Sequence, residues 1–325
     1  MVSGSLFRRI VVYLLLVVGG IGMLLPFYWM VTTALKTPVE AVQFPPTWFP
    51  KVLKFSNFVE AWNSVPFPRY FFNTIFIALT VLLGVLITSS LAGFAFAWME
   101  FRGREVLFVA LLAMMMVPMP VYIVPGYLLL VKLGWIDTYR ALIVPWMANV
   151  FSIFLLRQQF KTIPRDLYDA AVIDGCSKLY FLIKVVLPLS KATIVTIAIF
   201  SIIGSWNAFI WPLVVTSSDA LRPIQVGLAY FVQEQSTNYT LLSAASTFTT
   251  LPLVILFFLA QKKIIASLTY PAIVVMLAIG ITSFLIFNII PTFKGIFEML
   301  GGKLPLPTFI LINLADFLKN NILYI

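Results

Sequence analysis

The sequence predicts an all-α protein, a polytopic bundle of membrane helices. Hydrophobic residues make up 61% of the 325 residues and charged residues only 10%, whereas a soluble domain carries about 25% charged residues. Several uncharged runs also reach the length of about 20 residues that a helix needs to cross a hydrocarbon core. We therefore expect a six-helix core in the bilayer, followed by one extra C-terminal transmembrane helix.

Seven uncharged apolar runs carry this prediction, and each is expected to contain one membrane helix. By residue number they are 10–35, 70–98, 106–131, 141–156, 192–215, 244–260 and 264–293. The first run follows Arg8 and Arg9, as the apolar region of a signal peptide would. Because it is too long for such a peptide and lacks a small-residue cleavage site, we predict a retained anchor.

Small residues mark one face of the second run. Ser89, Gly93 and Ala97 recur every four residues, so they share one side of a helix. Such a face lets a neighbouring helix approach closely, and we predict helix packing there.

The basic residues predict how the spans are oriented. Lys and Arg cluster before the first run and after the second, fourth and sixth runs, and cytoplasmic loops carry such an excess. We expect the N-terminus and residues 157–191 on the cytoplasmic side of a multi-pass protein in a bacterial or archaeal inner membrane. Residues 36–69, 132–140 and 216–243 are expected outside.

Composition excludes several kinds of site. The chain has no His and one Cys, Cys176, which excludes histidine general bases, His/Cys metal sites and internal disulfides. Its one Gly-Lys pair, Gly302-Lys303, lacks the other residues of a phosphate-binding loop. We therefore expect no cofactor, and any ATP would have to bind another subunit.

The net charge of +10 raises the question of nucleic acid binding. Because the basic residues lie in short clusters beside apolar runs, they are better explained as orientation signals, and no nucleic acid partner is expected. The predicted spans contain no Asp, Glu, Lys or Arg. This disfavours an ion-coupled carrier, although sodium sites built from carbonyl and hydroxyl groups stay open.

Residues 164–188 interrupt the apolar pattern with charge between the fourth and fifth runs. Thr162 is predicted to cap a first helix, Asp174-Gly175 to form a turn, and a second helix to follow. Ala170 and Ala171 make one face of the first helix small and flat. Two interpretations stay open: a helix that docks in a groove of another protein, and an amphipathic connector that rests on lipid.

Three groups of residues in this segment resemble the cytoplasmic loop of ABC importer permeases: Asp169-Ala170-Ala171, Asp174-Gly175 and Leu187-Pro188-Leu189. Further resemblances narrow the family to the second permease subunit of carbohydrate importers, the maltose-system type. They are the stretches 206–213 and 226–231, Ala244-Ala245 and Leu251-Pro252. The resemblance covers about residues 5–263, so we predict a permease transmembrane domain over 1–263.

The resemblance implies transport of a sugar or sugar-like solute with three protein partners. These are a cytoplasmic ATP-binding subunit dimer, a homologous partner permease and an extracytoplasmic solute-binding protein, all assembled in or on the lipid bilayer. The residues implied in contact with the ATP-binding subunit are Asp169, Ala170, Ala171, Asp174, Gly175, Leu187 and Pro188. Asp169 replaces the family's usual Glu, which keeps the charge and shortens its reach.

The resemblance also singles out residues for the translocation pathway. Trp206, Asn207 and Phe209 are candidates for lining it, because aromatic faces and amides suit sugars. A structural role for Trp206 and Asn207 stays open.

Residues 264–325 are predicted to form an appended unit, one transmembrane helix and an amphipathic tail. From about Lys262 the chain resembles a fragment of the inner-membrane platform protein of type II secretion and type IV pilus machines, on the residues Tyr270-Pro271-Ala272, Pro291, 304–308 and 314–318. A natural fusion, a sequence artefact and an engineered chimera stay open as explanations. A membrane scaffold component of such a machine is the alternative function.

Overall fold

A computed structural model of the chain describes residues 3–232, 237–259 and 261, with side chains from Val12 onward. The chain divides between Ala260 and Gln261 into two units, and the helices below belong to the first. The described residues form helices and loops and contain no strand, which confirms the all-α prediction. The seventh predicted span and the appended unit lie outside the described residues.

Fifteen α-helices follow one another in the described part of the chain. They are α1 Ser3–Ala34, α2 Pro38–Val42, α3 Ser56–Ser64, α4 Phe67–Trp98, α5 Arg104–Met114, α6 Met119–Lys132, α7 Tyr139–Ile143, α8 Val150–Lys161, α9 Arg165–Ile173, α10 Lys178–Phe181, α11 Leu187–Leu189, α12 Lys191–Trp206, α13 Ile210–Val215, α14 Ile224–Leu228 and α15 Tyr239–Leu259. A π-helical turn, Leu182–Val186, joins α10 to α11. Short 3₁₀ turns follow α7 and α14.

Four stretches are long and apolar enough to cross a membrane as they stand: Val12–Ala34, Phe67–Trp98, Tyr139–Lys161 and Tyr239–Leu259. Two further spans are possible if each bent pair of helices counts as one. These pairs are Arg104–Met114 with Met119–Lys132, bent by 99°, and Lys178–Leu189 with Lys191–Trp206, bent by 83°.

Three predicted spans are therefore not single helices. The run 141–156 is divided between α7, which ends at Ile143, and α8, which begins at Val150. The helix expected over 106–131 breaks before Pro118, because proline lacks an N–H and pushes the residue before it out of the helical region. The helix expected over 192–215 ends at Trp206. Pro212 lies in the separate helix α13, and its ring would clash with the carbonyl of Ala208 in a continuous helix.

Helix α4 is the centre of the fold, with α8 and α12 packed along it. The predicted close approach at its small-residue face is confirmed at Gly93. A Cβ at Gly93 would lie 3.0 Å from the Cβ of Leu156 and 3.2 Å from the backbone nitrogen of Arg157. The main hydrophobic cluster forms around this contact and includes Val85, Phe94, Leu156, Phe181 and Val215.

A second hydrophobic cluster lies at the other end of α4 and includes Phe67, Tyr70, Trp206, Phe231 and Ala244. It joins the start of α4 to the end of α12 and the start of α15. The main cluster therefore holds α4 from Ile77 to Phe94, and the second cluster holds the start of the helix against different partners.

Candidate functional site

The segment 164–188 begins at a break between α8 and α9. Thr162, predicted as the N-cap of the next helix, instead ends α8, and its Oγ1 donates to the carbonyl oxygen of Gln159 at 2.7 Å. The prediction was wrong because Ile163 precedes Pro164, and a residue before proline avoids the helical region. Helix α9 therefore begins at Arg165.

The predicted turn at Asp174-Gly175 is confirmed, and its geometry explains the glycine. Gly175 has φ +73°, a left-handed conformation that costs other residues about 1–2 kcal/mol. Its N–H donates to the carbonyl oxygen of Val172 at 3.0 Å, and the N–H of Cys176 donates to that of Ala171 at 2.9 Å. These two bonds form a Schellman motif, which closes α9 and turns the chain towards α10.

The outer side of this turn is a largely apolar surface, here called the loop surface and formed by Asp169, Ala170, Val172 and Ile173. All four residues are exposed, and Ile173 is 86% exposed. Ala171 is oriented differently, because it is half-buried against the main cluster. An exposed apolar patch marks a surface that contacts another molecule, and here the patch lies on a turn of fixed geometry.

The inner side of the segment is held by a triangle of aromatic rings. Tyr168 of α9 contacts Trp98 at the end of α4, with ring centroids 5.4 Å apart. Phe181 of α10 contacts both rings, at 5.6 Å from Trp98 and 5.2 Å from Tyr168. Aromatic pairs add about 0.5–1.5 kcal/mol each beyond buried area, so the two helices of the loop and the end of α4 are tied together.

The second helix of the segment ends close to where the sequence predicts. It continues through the π-helical turn to Leu189, one residue past Pro188. Leu187 is half-buried against the main cluster, whereas Pro188 is exposed, as is Asp174. Of the residues predicted for docking, Ala171 and Leu187 therefore belong mainly to the support, and the others lie at or near the surface.

A cavity of about 580 Å³ lies among α4, α8, α12 and α13. Asn207 and Phe209, two of the predicted pathway residues, line it. Trp206 does not: it is 5% exposed within the second cluster, and its Nε1 donates to the carbonyl oxygen of Thr249 at 3.2 Å.

The wall of the cavity combines aromatic rings with uncharged polar groups. Its polar side chains are Thr74, Asn149, Ser152, Ser201, Ser205 and Asn207, and its aromatic ones are Trp146, Phe151, Phe200, Phe209 and Trp211. Among the described residues that line the cavity, none is charged. Such a wall can donate and accept hydrogen bonds and stack on ring faces, but it offers no partner for a charge.

Sequence reasoning missed a buried amide near the start of α4. Asn73 is fully buried, and its Nδ2 donates to the carbonyl oxygens of Ala220 at 3.0 Å and Arg222 at 2.9 Å. Its Oδ1 accepts a bond of 2.6 Å from the hydroxyl of Tyr139. A polar residue in the apolar run 70–98 was the available signal, but its partners are distant in sequence.

A buried cation was missed as well. Arg157, placed just after the fourth predicted span, belongs to α8 and is buried. Its Nη2 donates to both carboxylate oxygens of Glu105, at 2.8 and 2.7 Å, and its guanidinium lies 3.8 Å from the ring centre of Phe108. The expectation that charge lies outside the spans therefore fails at this residue, which links α5 to α8.

Asp137 joins the loop after α6 to the loop after α13 through its carboxylate. Its Oδ1 accepts bonds from the backbone N–H groups of Ser217 at 3.0 Å and Ser218 at 3.1 Å, and from the hydroxyl of Ser218 at 3.1 Å. These bonds, led by that from the N–H of Ser218, lower the pKa of Asp137 below its ordinary value of 3.8, against the opposing effect of burial. The described residues contain no group of three His, Cys, Asp or Glu that could hold a metal ion.

The family is decided by comparison with known proteins. The sequence model of the family described as "Binding-protein-dependent transport system inner membrane component" matches residues 84–291. The chain belongs to this family. The match ends beyond residue 263, where the sequence predicts the domain boundary, and the position of that boundary stays a prediction.

Two relatives align with most of the length of this chain. The arabinooligosaccharides transport system permease protein of Bacillus subtilis is 35% identical over 68% of this chain and 79% of the relative. The trehalose/maltose transport system permease protein of Thermococcus litoralis is 34% identical over 79% of this chain and 95% of the relative.

A solved structure confirms the fold of the family member. It is described as a bacterial ABC transporter involved in the import of the acidic polysaccharide alginate, and one of its chains superposes with a TM-score of 0.70 at 24% identity. The match covers 81% of this chain and 98% of that chain. At this identity the likeness establishes the shared helical fold.

Proposed function

We propose that the chain is the transmembrane permease subunit of an ATP-driven, binding-protein-dependent importer for a sugar or sugar-like solute. It does not itself catalyse a reaction. A cytoplasmic ATP-binding subunit dimer supplies the energy through residues 164–188, and a homologous partner permease completes the pathway. An extracytoplasmic solute-binding protein delivers the solute.

The observation that carries this proposal is the attachment of the loop surface to α4. Asp169, Ala170 and Ile173 are presented on a helix closed by a Schellman motif, and the aromatic triangle fixes that helix to the end of α4. A docking partner that moves this surface would therefore move α4. A connector that only rested on lipid would not require such an attachment.

The residues that line the cavity favour an uncharged solute. Asn149 and Asn207 offer amide groups, and Phe209 offers a ring face, a combination that suits sugar hydroxyls and apolar ring faces. Two relatives named for neutral saccharides fit this wall. An anionic sugar would enter a cavity without a cationic partner and would lose its hydration uncompensated.

The orientation follows from the basic residues. The loop 162–190 and the N-terminus face the cytoplasm, since Lys and Arg concentrate on that side. The loops after α1, α6 and α13 face outward, towards the binding protein. The location is the cytoplasmic (inner) membrane of a bacterium or archaeon.

The alternatives have less support. A secretion or pilus scaffold rests on residues 264–325, which lie outside the described residues. An ion-coupled carrier would need ionisable groups along its pathway, and the one buried cation in a described span, Arg157, is paired with Glu105 away from the cavity.

Reconstitution tests the proposal. The chain is assembled in proteoliposomes with the partner permease, ATP-binding subunit and binding protein of its own transport system, and uptake of neutral and anionic saccharides is measured. We expect uptake of a neutral saccharide that needs both ATP and the binding protein. Uptake driven by an ion gradient without ATP would overturn the proposal, and ATP-dependent uptake of anionic saccharides alone would overturn the assignment of solute class.

A further inference from the structure

One buried guanidinium joins three helices next to the aromatic triangle. Arg157 of α8 is 4% exposed. Its Nε donates to the carbonyl oxygen of Phe96 in the last turn of α4 at 3.2 Å, and its Nη2 donates to both carboxylate oxygens of Glu105 in the first turn of α5. Because Phe96 lies two residues before Trp98, Arg157 holds the same end of α4 that contacts the loop.

The bond to Phe96 caps the C-terminus of α4. The last carbonyl groups of a helix have no partner within it, and this end of the helix attracts a cation. The N–H of Met99 donates to the carbonyl oxygen of Ala95, and Arg157 supplies the partner for the next carbonyl. The backbone of Arg157 is itself close to α4, since a Cβ at Gly93 would lie 3.2 Å from its nitrogen.

Aromatic rings from the same three helices enclose the guanidinium. It lies 3.8 Å from the ring centre of Phe108 in α5. That ring contacts Phe96 of α4 and Phe154 of α8, with centroids 5.5 and 6.4 Å apart. A cation that lies against a ring and also binds a carboxylate with two hydrogen bonds is held in one geometry, so α5 is fixed relative to α4 and α8 at this point.

The ion pair is asymmetric, and this decides what happens when the helices move. The side chain of Arg157 is 5% exposed, whereas that of Glu105 is 57% exposed. An ion pair exposed on both sides separates at little cost, but separation here would leave a buried cation without its partner. Glu105 should therefore stay with Arg157, and α5 should move together with α4 and α8.

The other end of α5 leads to the cavity. The chain bends by 99° between α5 and α6, and Met119, the first residue of α6, lines the cavity. Helix α6 packs against α13, because a Cβ at Gly126 would lie 3.1 Å from the ring of Trp211, another cavity residue. A movement of α5 relative to α13 is therefore absorbed at residues 115–118, beside the cavity.

We infer that Arg157 is a positioning residue for energy coupling. It passes a displacement of the loop surface, which reaches α4 through the aromatic triangle, to α5 and so to the bend at 115–118. Arg157 lines neither the cavity nor the loop surface, so it acts through α5. The inference rests on the proposed function, because the ATP-binding subunit is taken as the source of the displacement.

Hydrogen exchange on the assembled complex tests this role. Exchange in residues 104–114 and 165–175 is compared with and without a non-hydrolysable ATP analogue. We expect both segments to respond in the unsubstituted protein. In Arg157→Met, which removes the charge and all the donors, 165–175 should still respond and the response of 104–114 should be lost. A merely structural role would speed exchange of 104–114 in both states and leave its response to the analogue in place.

Uptake per ATP hydrolysed is the second readout. We expect it to fall about twofold or more in Arg157→Met, the range in which residues along a coupling path change the coupling. The fall should be smaller in Arg157→Lys, which keeps the charge but loses the planar fork. Arg102→Met is the matched control, since Arg102 is an exposed arginine of the loop between α4 and α5, and it should leave uptake per ATP unchanged.

Two results would overturn the inference: a response of 104–114 that persists in Arg157→Met, and equal uptake per ATP in Arg157→Met and Arg102→Met. Glu105→Gln repeats the test at the exposed partner, with side-chain size retained and charge removed, and should lose the same response. An unsubstituted complex in which 165–175 does not respond to the analogue would instead contradict the proposed function.

Discussion

The rings of Tyr168 and Phe181 meet edge to face, with centroids 5.2 Å apart. Tyr168 lies before the turn of the segment 164–188 and Phe181 after it, and both contact Trp98 at the end of α4. The contact therefore joins the two arms of the loop to each other and to the central helix. A loop built in this way can transmit a displacement of the loop surface to α4.

Removing the Tyr168 ring should weaken the coupling between the loop surface and α4. In Tyr168→Ala two ring contacts are lost, worth about 0.5–1.5 kcal/mol each, while the exposed residues of the loop surface are unchanged. We expect ATP hydrolysis to continue in the assembled complex and solute uptake per ATP to fall. Tyr168→Phe keeps the ring and is the matched control; equal uptake per ATP in both variants would contradict the role of the triangle.

Substitution of Gly175 should destabilise the turn because of its backbone conformation alone. A Cβ there would meet no atom within 4 Å, but φ is +73°, so Gly175→Val should destabilise the turn by about 1–2 kcal/mol. Gly175→Asn should cost less, since Asn tolerates this conformation better. Hydrogen exchange at Cys176 reports the turn directly.

Gly204 in α12 provides the comparison for this substitution. It also has open space for a Cβ, but its φ is not positive, so Gly204→Ala should leave the turn unaffected. Exchange at Cys176 that is as slow in Gly175→Val as in the unsubstituted protein would contradict the argument from φ.

The contact between the loops after α6 and α13 should loosen in acid through Asp137. Its pKa is lowered by the fold, so its carboxylate contributes stability above the ordinary carboxyl pKa, and that contribution is lost as pH falls through the lowered folded value. Amide exchange at Ser217 and Ser218, corrected for intrinsic rates, should therefore accelerate only below the ordinary value of 3.8. Asp137→Asn keeps an acceptor and tolerates the positive φ of 55°, and its corrected exchange should not change in that range.

Two truncations test the predicted boundary at residue 263. Deleting 292–325 keeps the whole family match, whereas deleting 268–325 removes its last part. We expect both shortened chains to support ATP-dependent uptake at normal membrane levels. Uptake that survives only the shorter deletion would show that the transport domain extends past 263.

Local signals in the sequence predicted the parts of the site that local geometry decides. Asp174-Gly175 forms the expected turn because a left-handed residue after a helix is a property of a few neighbouring residues. Thr162 was misplaced because a threonine at this position can cap either the end of α8 or the start of α9. Pro164 keeps Ile163 out of the helical region, so Thr162 ends α8. Pro118 is a local signal for the helix break before it, but the sequence prediction missed the break because the apolar run 106–131 continues across it.

Contacts between distant residues could not be predicted. Tyr139 and Asn73 are 66 residues apart, and Arg157 and Glu105 are 52 apart, so neither pair has a local pattern. The separate roles of Ala170 and Ala171 also needed the structure. Both lie on one small helix, but only the packing shows that Ala170 is exposed and Ala171 is half-buried.

Copurification with the ATP-binding subunit tests the central claim most directly. Ala170→Asp places a charge on the exposed loop surface without entering the core, and Ala220→Asp makes the same change at an exposed residue of the loop after α13. Both variants are first checked to have the same melting temperature as the unsubstituted protein. We then predict that the ATP-binding subunit is lost from Ala170→Asp and retained by Ala220→Asp. An ATP-binding subunit that stays bound to Ala170→Asp at an undiminished level would contradict the assignment of residues 164–188 as the docking segment.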